Sequence, residues 1–156
     1  MWPIIGNHED RGQAYFDAFV LPGAAPEPLA ELYYSVRWGD VWLGLLDLVD
    51  IDIASFVGLD TPEITWLKQE LSGPSAREAR WRLLFVHEPP WTNGGEPCGT
   101  YQGEASVRNV LVPLAAEYGV AALFSGHHHA WEHGSQDGVA IFVSGGGGGG
   151  LGACCA

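Results

Sequence analysis

Basic side chains are scarce in this sequence. Seven lysines and arginines stand against nineteen aspartates and glutamates, for a formal net charge of −12. Neutralising the phosphates of a nucleic acid needs clustered cations. The only cluster here is Arg77, Arg80 and Arg82, so nucleic acid is excluded as a partner, and so strong a negative charge repels polyanions at long range. Long apolar runs are also missing. The longest, Val41 to Val49, is broken by Gly44 and Asp47 and falls well short of the roughly 20 residues that cross a bilayer. No membrane partner is therefore expected. The three cysteines, Cys98, Cys154 and Cys155, make no disulfide framework and read as free thiols. No leader pattern precedes the first apolar run, which follows Met1 at once, and no internal repeat is present.

What remains is a globular composition, 47% hydrophobic and 12% aromatic over 156 residues. A chain of that length forms one domain, burying roughly two-thirds of its unfolded surface. The domain is expected over residues 1–150, with a disordered tail at 151–156. Residues 2–5 read as a buried strand ending at Gly6. Residues 11–20 read as a short helix with Tyr15, Phe16 and Phe19 on one face. Two β-rich runs, Tyr33 to Trp38 and Val41 to Leu46, flank Gly39-Asp40 as a hairpin. Thr61 is the expected N-cap of a helix with Pro62 in its first turn, ending at Gly73-Pro74. Trp81 to Val86, Val120 to Phe124 and Val139 to Ser144 read as strands, and residues 104–118 as an amphipathic helix stopped by Gly119. Strands alternating with helices predict an α/β layered fold.

The six histidines fall in three places, each just after a short apolar run. Asn7-His8 follows Trp2 to Ile5, and His87 follows Leu83 to Val86. His127, His128 and His129 follow Ala121 to Phe124, with His133 just beyond. In an open α/β sheet, ligands bind beyond the carboxyl ends of the strands, so three strand ends carrying imidazoles predict one shared metal site. In extended chain, residues i and i+2 point the same way. His127 and His129 then face one side, reaching two metals or flanking one, while His128 faces away. The alternatives are a tag-like surface cluster for the triple histidine, a structural role for His87, and an ordinary turn at Gly6-Asn7.

Asn-His, then His, then Gly-His-x-His, each after a strand, make a constellation. Tyr33-Tyr34-Ser35 before the Gly39 turn, Leu46-Asp47, Trp66-Leu67, His87-Glu88-Pro89-Pro90, Gly126 to Glu132, and Val143-Ser144-Gly145-Gly146 extend it. Together they resemble the C-terminal part of the catalytic domain of calcineurin-like metallophosphoesterases, nearest the purple acid phosphatase branch. The resemblance implies a layered α/β/β/α sandwich whose N-terminal strands are missing here. It implies Asn7, His87 and His127 as ligands of one metal and His129 as ligand of a second. His8 becomes the catalytic group beside the substrate, and His133 a further substrate-side residue. The implied cofactors are two ions of Fe, Mn or Zn, and the implied substrate is a phosphate ester, hydrolysed by a hydroxide held between metals about 3.5 Å apart.

That family pattern places an Asp-x-His and a Gly-Asp motif ahead of Asn-His. This sequence has no Asp-x-His, and its one Gly-Asp, Gly39-Asp40, comes after Asn-His and reads as the hairpin turn. The expectation is thus the C-terminal portion of a domain cut just before Asn7, with at most one weakly bound metal and little hydrolysis alone. A sheet edge beside residues 2–5 is expected to stand unprotected. The second reading is a non-catalytic metal-binding or interaction module that keeps the fold. Trp91 and Tyr101 are expected to shape the substrate pocket, and the glycine run to fray beyond about Gly148.

Overall fold

The computed structural model describes residues 1–23, 31–48, 61–94 and 101–150. The three cysteines and the tail at 151–156 lie outside them. The described residues form a mixed α/β sandwich of layered helices and sheet. Its elements in chain order are α1 (Gln13–Ala18), β1 (Tyr34–Trp38), β2 (Val41–Leu45), α2 (Pro62–Ser72), α3 (Pro74–Arg77) and β3 (Trp81–Phe85). A π-helical turn at Val107–Leu111 then runs into α4 (Val112–Glu117), followed by β4 (Ala122–Ser125), β5 (Trp131–Gln136) and β6 (Val139–Ser144). Among the described residues the strands make one sheet, ordered β1-β2-β3-β4-β6-β5. β2, β3, β4 and β6 run parallel, and the outer strands β1 and β5 pair antiparallel to their neighbours.

The hairpin forms where the turn residues predict, with Gly39 at φ +58°, a conformation that suits a residue without Cβ. Thr61 caps α2 by accepting a hydrogen bond from the Ile64 amide at 3.2 Å, with Pro62 at the first position, where its missing N–H is no loss. The π turn ends two residues before Pro113. A proline there would clash with the preceding turn and donates no hydrogen bond, and a widened turn relieves both conflicts.

Two expectations are corrected. Residues 2–5 are not a strand. Pro3 has no N–H to give a ladder, and the segment is held by packing instead: Ile5 is fully buried in a cluster with Tyr15, Leu32 and Tyr34, with Ile4 packed on the same cluster. Among the described residues the sheet's outer strands are β1 and β5, not residues 2–5. β5 itself is a strand that the sequence reading missed, although Asp137-Gly138 signals its hairpin with β6. Both turn residues have positive φ, 51° and 84°, as a type I′ turn requires.

α2, α3, the π turn and α4 cover one face of the sheet. Ile64, Leu67, Leu71, Ala76, Val107, Leu111 and Ala115 pack there on Trp42, Leu84, Val86, Leu123 and Ile141. The opposite face carries Phe85, Phe124 and Phe142 as a stack, with centroids 5.1 and 5.0 Å apart and planes 14° apart at each step. Because four strands are parallel, their carboxyl ends share one border. Asp47, His87, Gly126 and Gly145 all leave the sheet along it.

Candidate functional site

The ladder between β3 and β4 continues beyond the strands. The Val86 amide donates to the Phe124 carbonyl at 3.0 Å, and the Gly126 amide to the His87 carbonyl at 2.9 Å. Those bonds set His87 and His127 side by side. His127 itself holds φ +59°, a strained value for a residue with a Cβ, and such strain persists where the surroundings fix it. Asn7 arrives from the N-terminal turn. There the Gly6 amide donates to Glu9 Oε2 at 2.8 Å, and Arg11 pairs with Asp47 at the end of β2, 2.9 Å away.

Three donors from these three segments meet. His87 Nε2 stands 2.8 Å from Asn7 Oδ1 and 3.1 Å from His127 Nδ1. Donors bound to one first-row ion at about 2.0–2.1 Å and near right angles stand about 3 Å apart, so this spacing fits an ion. Burial, and then the neighbouring His127, lower the pKa of His87. A neutral imidazole, with its lone pair free, is the form that ligates. Among the described residues, however, no three His, Cys, Asp or Glu side chains gather into a metal-holding group. The set is two imidazoles and an amide, without a carboxylate. It fits one ion held by neutral ligands and does not fit a pair.

A cavity of about 260 Å³ opens at the same place, lined by Asn7, His8, His87, His127, His129 and backbone of the glycine run. The structure thus brings five of the six candidate residues around one space. His133 is not among them. It lies exposed on β5, paired across the ladder with Phe142, and borders a separate groove of about 710 Å³ with Trp91, Arg108 and Glu132. Trp91 belongs to that groove as well. Tyr101 packs its ring on His127, centroids 5.2 Å apart, and burial together with Glu88 and Glu104 pushes its phenol pKa up. His128 turns away, as expected of the middle residue. Its ring lies against Gly94, where a Cβ would come within 2.2 Å. Beside it, Glu132 accepts from Thr92 Oγ1 at 2.9 Å and from the Asn93 amide at 3.2 Å, which ties the loop after β3 to β5.

Two contributors escaped the sequence reading. Glu9 closes the Asn7 turn, and Gly6 lets that turn lie on the His87 ring, where a Cβ would sit 2.8 Å from Nδ1. The signal was present in Gly6-x-x-Glu9. The glycine run, expected to fray beyond about Gly148, instead reaches the site: the Gly150 carbonyl lies 2.9 Å from His129 Nδ1.

Fold and site together define a mixed α/β protein with an amide-and-imidazole centre at the carboxyl ends of parallel strands. The family profile for calcineurin-like phosphoesterases matches residues 1–131. Purple acid phosphatase 23 of Arabidopsis thaliana is 32% identical over 136 residues, covering 83% of this chain and 28% of that protein. The Fe(3+)-Zn(2+) purple acid phosphatase 12 of the same plant is 26% identical, covering 81% of this chain and 28% of that protein. Among solved structures, purple acid phosphatase PPD1 from yellow lupin (Lupinus luteus) seeds superposes with a TM-score of 0.68 at 20% identity, over 99% of this chain and 30% of that one. GAP50 of Plasmodium, described as the anchor in the inner membrane complex, gives 0.61 at 17% identity, over 93% of this chain and 48% of that one. The chain belongs to the calcineurin-like phosphoesterase family, in its purple acid phosphatase-like branch. It spans under a third of the length of these plant relatives. Among the described residues no helix is long and apolar enough to cross a membrane.

Proposed function

We propose that residues 1–150 are the C-terminal portion of a phosphate-ester hydrolase domain and carry part of its metal centre. The observation that carries this reading is that Asn7 Oδ1 and His127 Nδ1 both lie within 3.1 Å of His87 Nε2, at the end of β3. In this reading those three hold one Fe, Mn or Zn ion and His129 belongs to a second. In a complete domain, with further ligands to hold the second ion, a bound pair would supply a nucleophilic hydroxide and charge stabilisation for in-line attack on phosphorus. His8, exposed on the cavity wall, binds the phosphate and protonates the leaving oxygen, work for which an imidazole has both a donor and an acceptor nitrogen. Without a carboxylate in the donor set, binding by this chain is weak and turnover low.

A second reading is a non-catalytic module that keeps the fold. It is favoured by the lack of a three-residue ionisable metal cluster among the described residues, and by the anchoring role stated for GAP50, a protein of similar fold. Calorimetric titration with zinc, paired with a chromogenic phosphate monoester, separates the two. The hydrolase reading expects weak binding of one ion, weakened about tenfold or more by His87→Ala or His127→Ala, and a trace of turnover lost in the same variants. Zinc binding indifferent to both substitutions would overturn the site assignment. Binding with no turnover at all, alone or on addition of the upstream portion of a relative's domain, would favour the module.

A further inference from the structure

Six consecutive glycines, Gly145 to Gly150, read as low complexity. Fixing so many glycines is entropically expensive, yet their positions are not equivalent in the structure. At Gly145 a Cβ would stand 2.0 Å from the His128 carbonyl oxygen, and at Gly149 it would stand 2.3 Å from Cε1 of the His129 ring. Gly148 has φ +134°, open to glycine and strained for other residues. At Gly147 and Gly150 a Cβ would meet nothing within 4 Å. The run therefore lies on the site through two close approaches and one backbone conformation.

Its far end makes a directed contact. His129 Nδ1 is 2.9 Å from the Gly150 carbonyl. A carbonyl only accepts, so Nδ1 must carry the proton, and in the neutral ring the lone pair is left on Nε2. Imidazole ligands are commonly oriented in this way, by a backbone carbonyl on the nitrogen that does not face the ion. The same run supplies Gly145, Gly147 and Gly149 to the wall of the cavity that His129 shares with Asn7, His87 and His127.

We propose that Gly145–Gly150 is a positioning strap for His129. Gly149 lets the backbone lie on the imidazole, and the Gly150 carbonyl selects the Nδ1–H tautomer, presenting Nε2 for ligation. This assignment of Nε2 rests on the hydrolase reading above, while the strap itself is a property of the metal-free chain. A Cβ at position 149 would displace the His129 ring, and one at position 147 would meet nothing within 4 Å.

Long-range ¹H–¹⁵N correlation spectra of the labelled full chain, recorded without metal at about pH 8 so that imidazoles are neutral, report the tautomer of each histidine. Free histidine in water favours the Nε2–H form, so the expected Nδ1–H form at His129 is a departure from the default. Gly149→Val is expected to return His129 towards Nε2–H, at least tenfold in tautomer ratio, and Gly149→Ala to do so partly. Gly147→Ala is expected to leave the ratio unchanged. A His129 already in the Nε2–H form in the unaltered chain overturns the strap, and so does equal behaviour of the 147 and 149 variants. The melting temperature of each variant is measured alongside; a shared loss of fold is excluded when the His87 and His128 signals keep their positions. His127→Ala tests the other reading separately: it is expected to weaken zinc binding about tenfold or more while leaving the His129 tautomer as it was.

Discussion

The two faces of the sheet follow the same alternation and end differently. On the helix side, Trp42, Leu84, Val86 and Leu123 are fully buried under α2, α3 and α4. On the other side, among the described residues, Ile4, Ile5, Phe16 and Phe19 pack over β1 and β2 and reach Phe85 of β3. Phe124 and Phe142 are left half-buried, and Trp131 and Trp38 stand 61% and 70% exposed. Aliphatic side chains and the ring of Trp42 pack on the closed face; a row of phenylalanine rings stacks across the open one. Alternation decides which residues share a face, but whether that face is covered depends on where the connections run. Here both long crossovers, β2 to β3 and β3 to β4, carry their helices to the same side.

The largest test of this contrast is a pair of truncations. Leu84→Ala on the closed face is expected to cost about 2–5 kcal/mol, because a fully buried side chain leaves a cavity. Phe142→Ala, two strands away on the open face, removes a bigger side chain and is expected to cost about half as much, since water already reaches one side of the ring. Urea denaturation of both variants measures the difference. Equal losses would mean that something covers the open face in solution.

The closed face also holds a buried acid. Glu63 on α2 is 6% exposed and accepts a hydrogen bond from the Asp47 amide at 2.8 Å. Burial, opposed by that bond and reinforced by the charge of Asp47, raises its pKa from 4.5 to about 8. Between these values the folded chain holds a proton that the unfolded chain has released. Stability from this group is therefore full below about pH 4.5 and declines as pH rises towards 8, by a few kcal/mol at most. Melting curves across that range are expected to show the slope, and Glu63→Gln to flatten it while keeping the acceptor for Asp47. A slope that survives the substitution would place its origin elsewhere.

How much of this was legible follows from the physics of each signal. The Gly39-Asp40 hairpin and the Thr61-Pro62 start of α2 were readable because turn and cap chemistry is local. Residues 2–5 were misread because an apolar run reports burial and not pairing; Ile5 is buried as expected, without a ladder. β5 was missed because its residues are polar and mostly exposed, with only the Asp137-Gly138 turn to mark it. The convergence of Asn7, His87 and His127 was legible from their shared place after apolar runs. The part played by Gly149 was not, since a run of identical residues hides which of them touches a ring. His133 falls away from the cavity for a simpler reason: on β5, the residue paired with Phe142 points with it to the open face.

A smaller effect tests the clasp that ties the N-terminal turn to the closed side. Arg11 is half exposed and pairs with Asp47 at 2.9 Å, so Arg11→Ala is expected to cost about 1 kcal/mol or less. Its sharper consequence is local. Asp10 and Arg11 both hold left-handed backbone, at φ 47° and 48°, and without the clasp that conformation loses a tether four residues from Asn7. Amide exchange is expected to quicken over residues 7–12 and to stay unchanged in β3 and β4. Uniform quickening would mean that the pair supports the whole domain.

The smallest effect on stability belongs to Trp131. It touches Phe142 at 5.9 Å between ring centroids and is otherwise in water, so Trp131→Ser is expected to change folding stability by no more than about 0.5 kcal/mol. Its effect on association should be far larger in proportion. A contiguous exposed apolar patch favours contact with another surface, and Trp131 extends the ring stack of Phe85, Phe124 and Phe142 towards β5. Light scattering at rising concentration is expected to show less self-association in Trp131→Ser than in the unaltered chain. Trp91→Ser, at the groove on the helix side, is expected to leave it unchanged. Equal effects at the two positions would mean that these chains do not meet through the uncovered face.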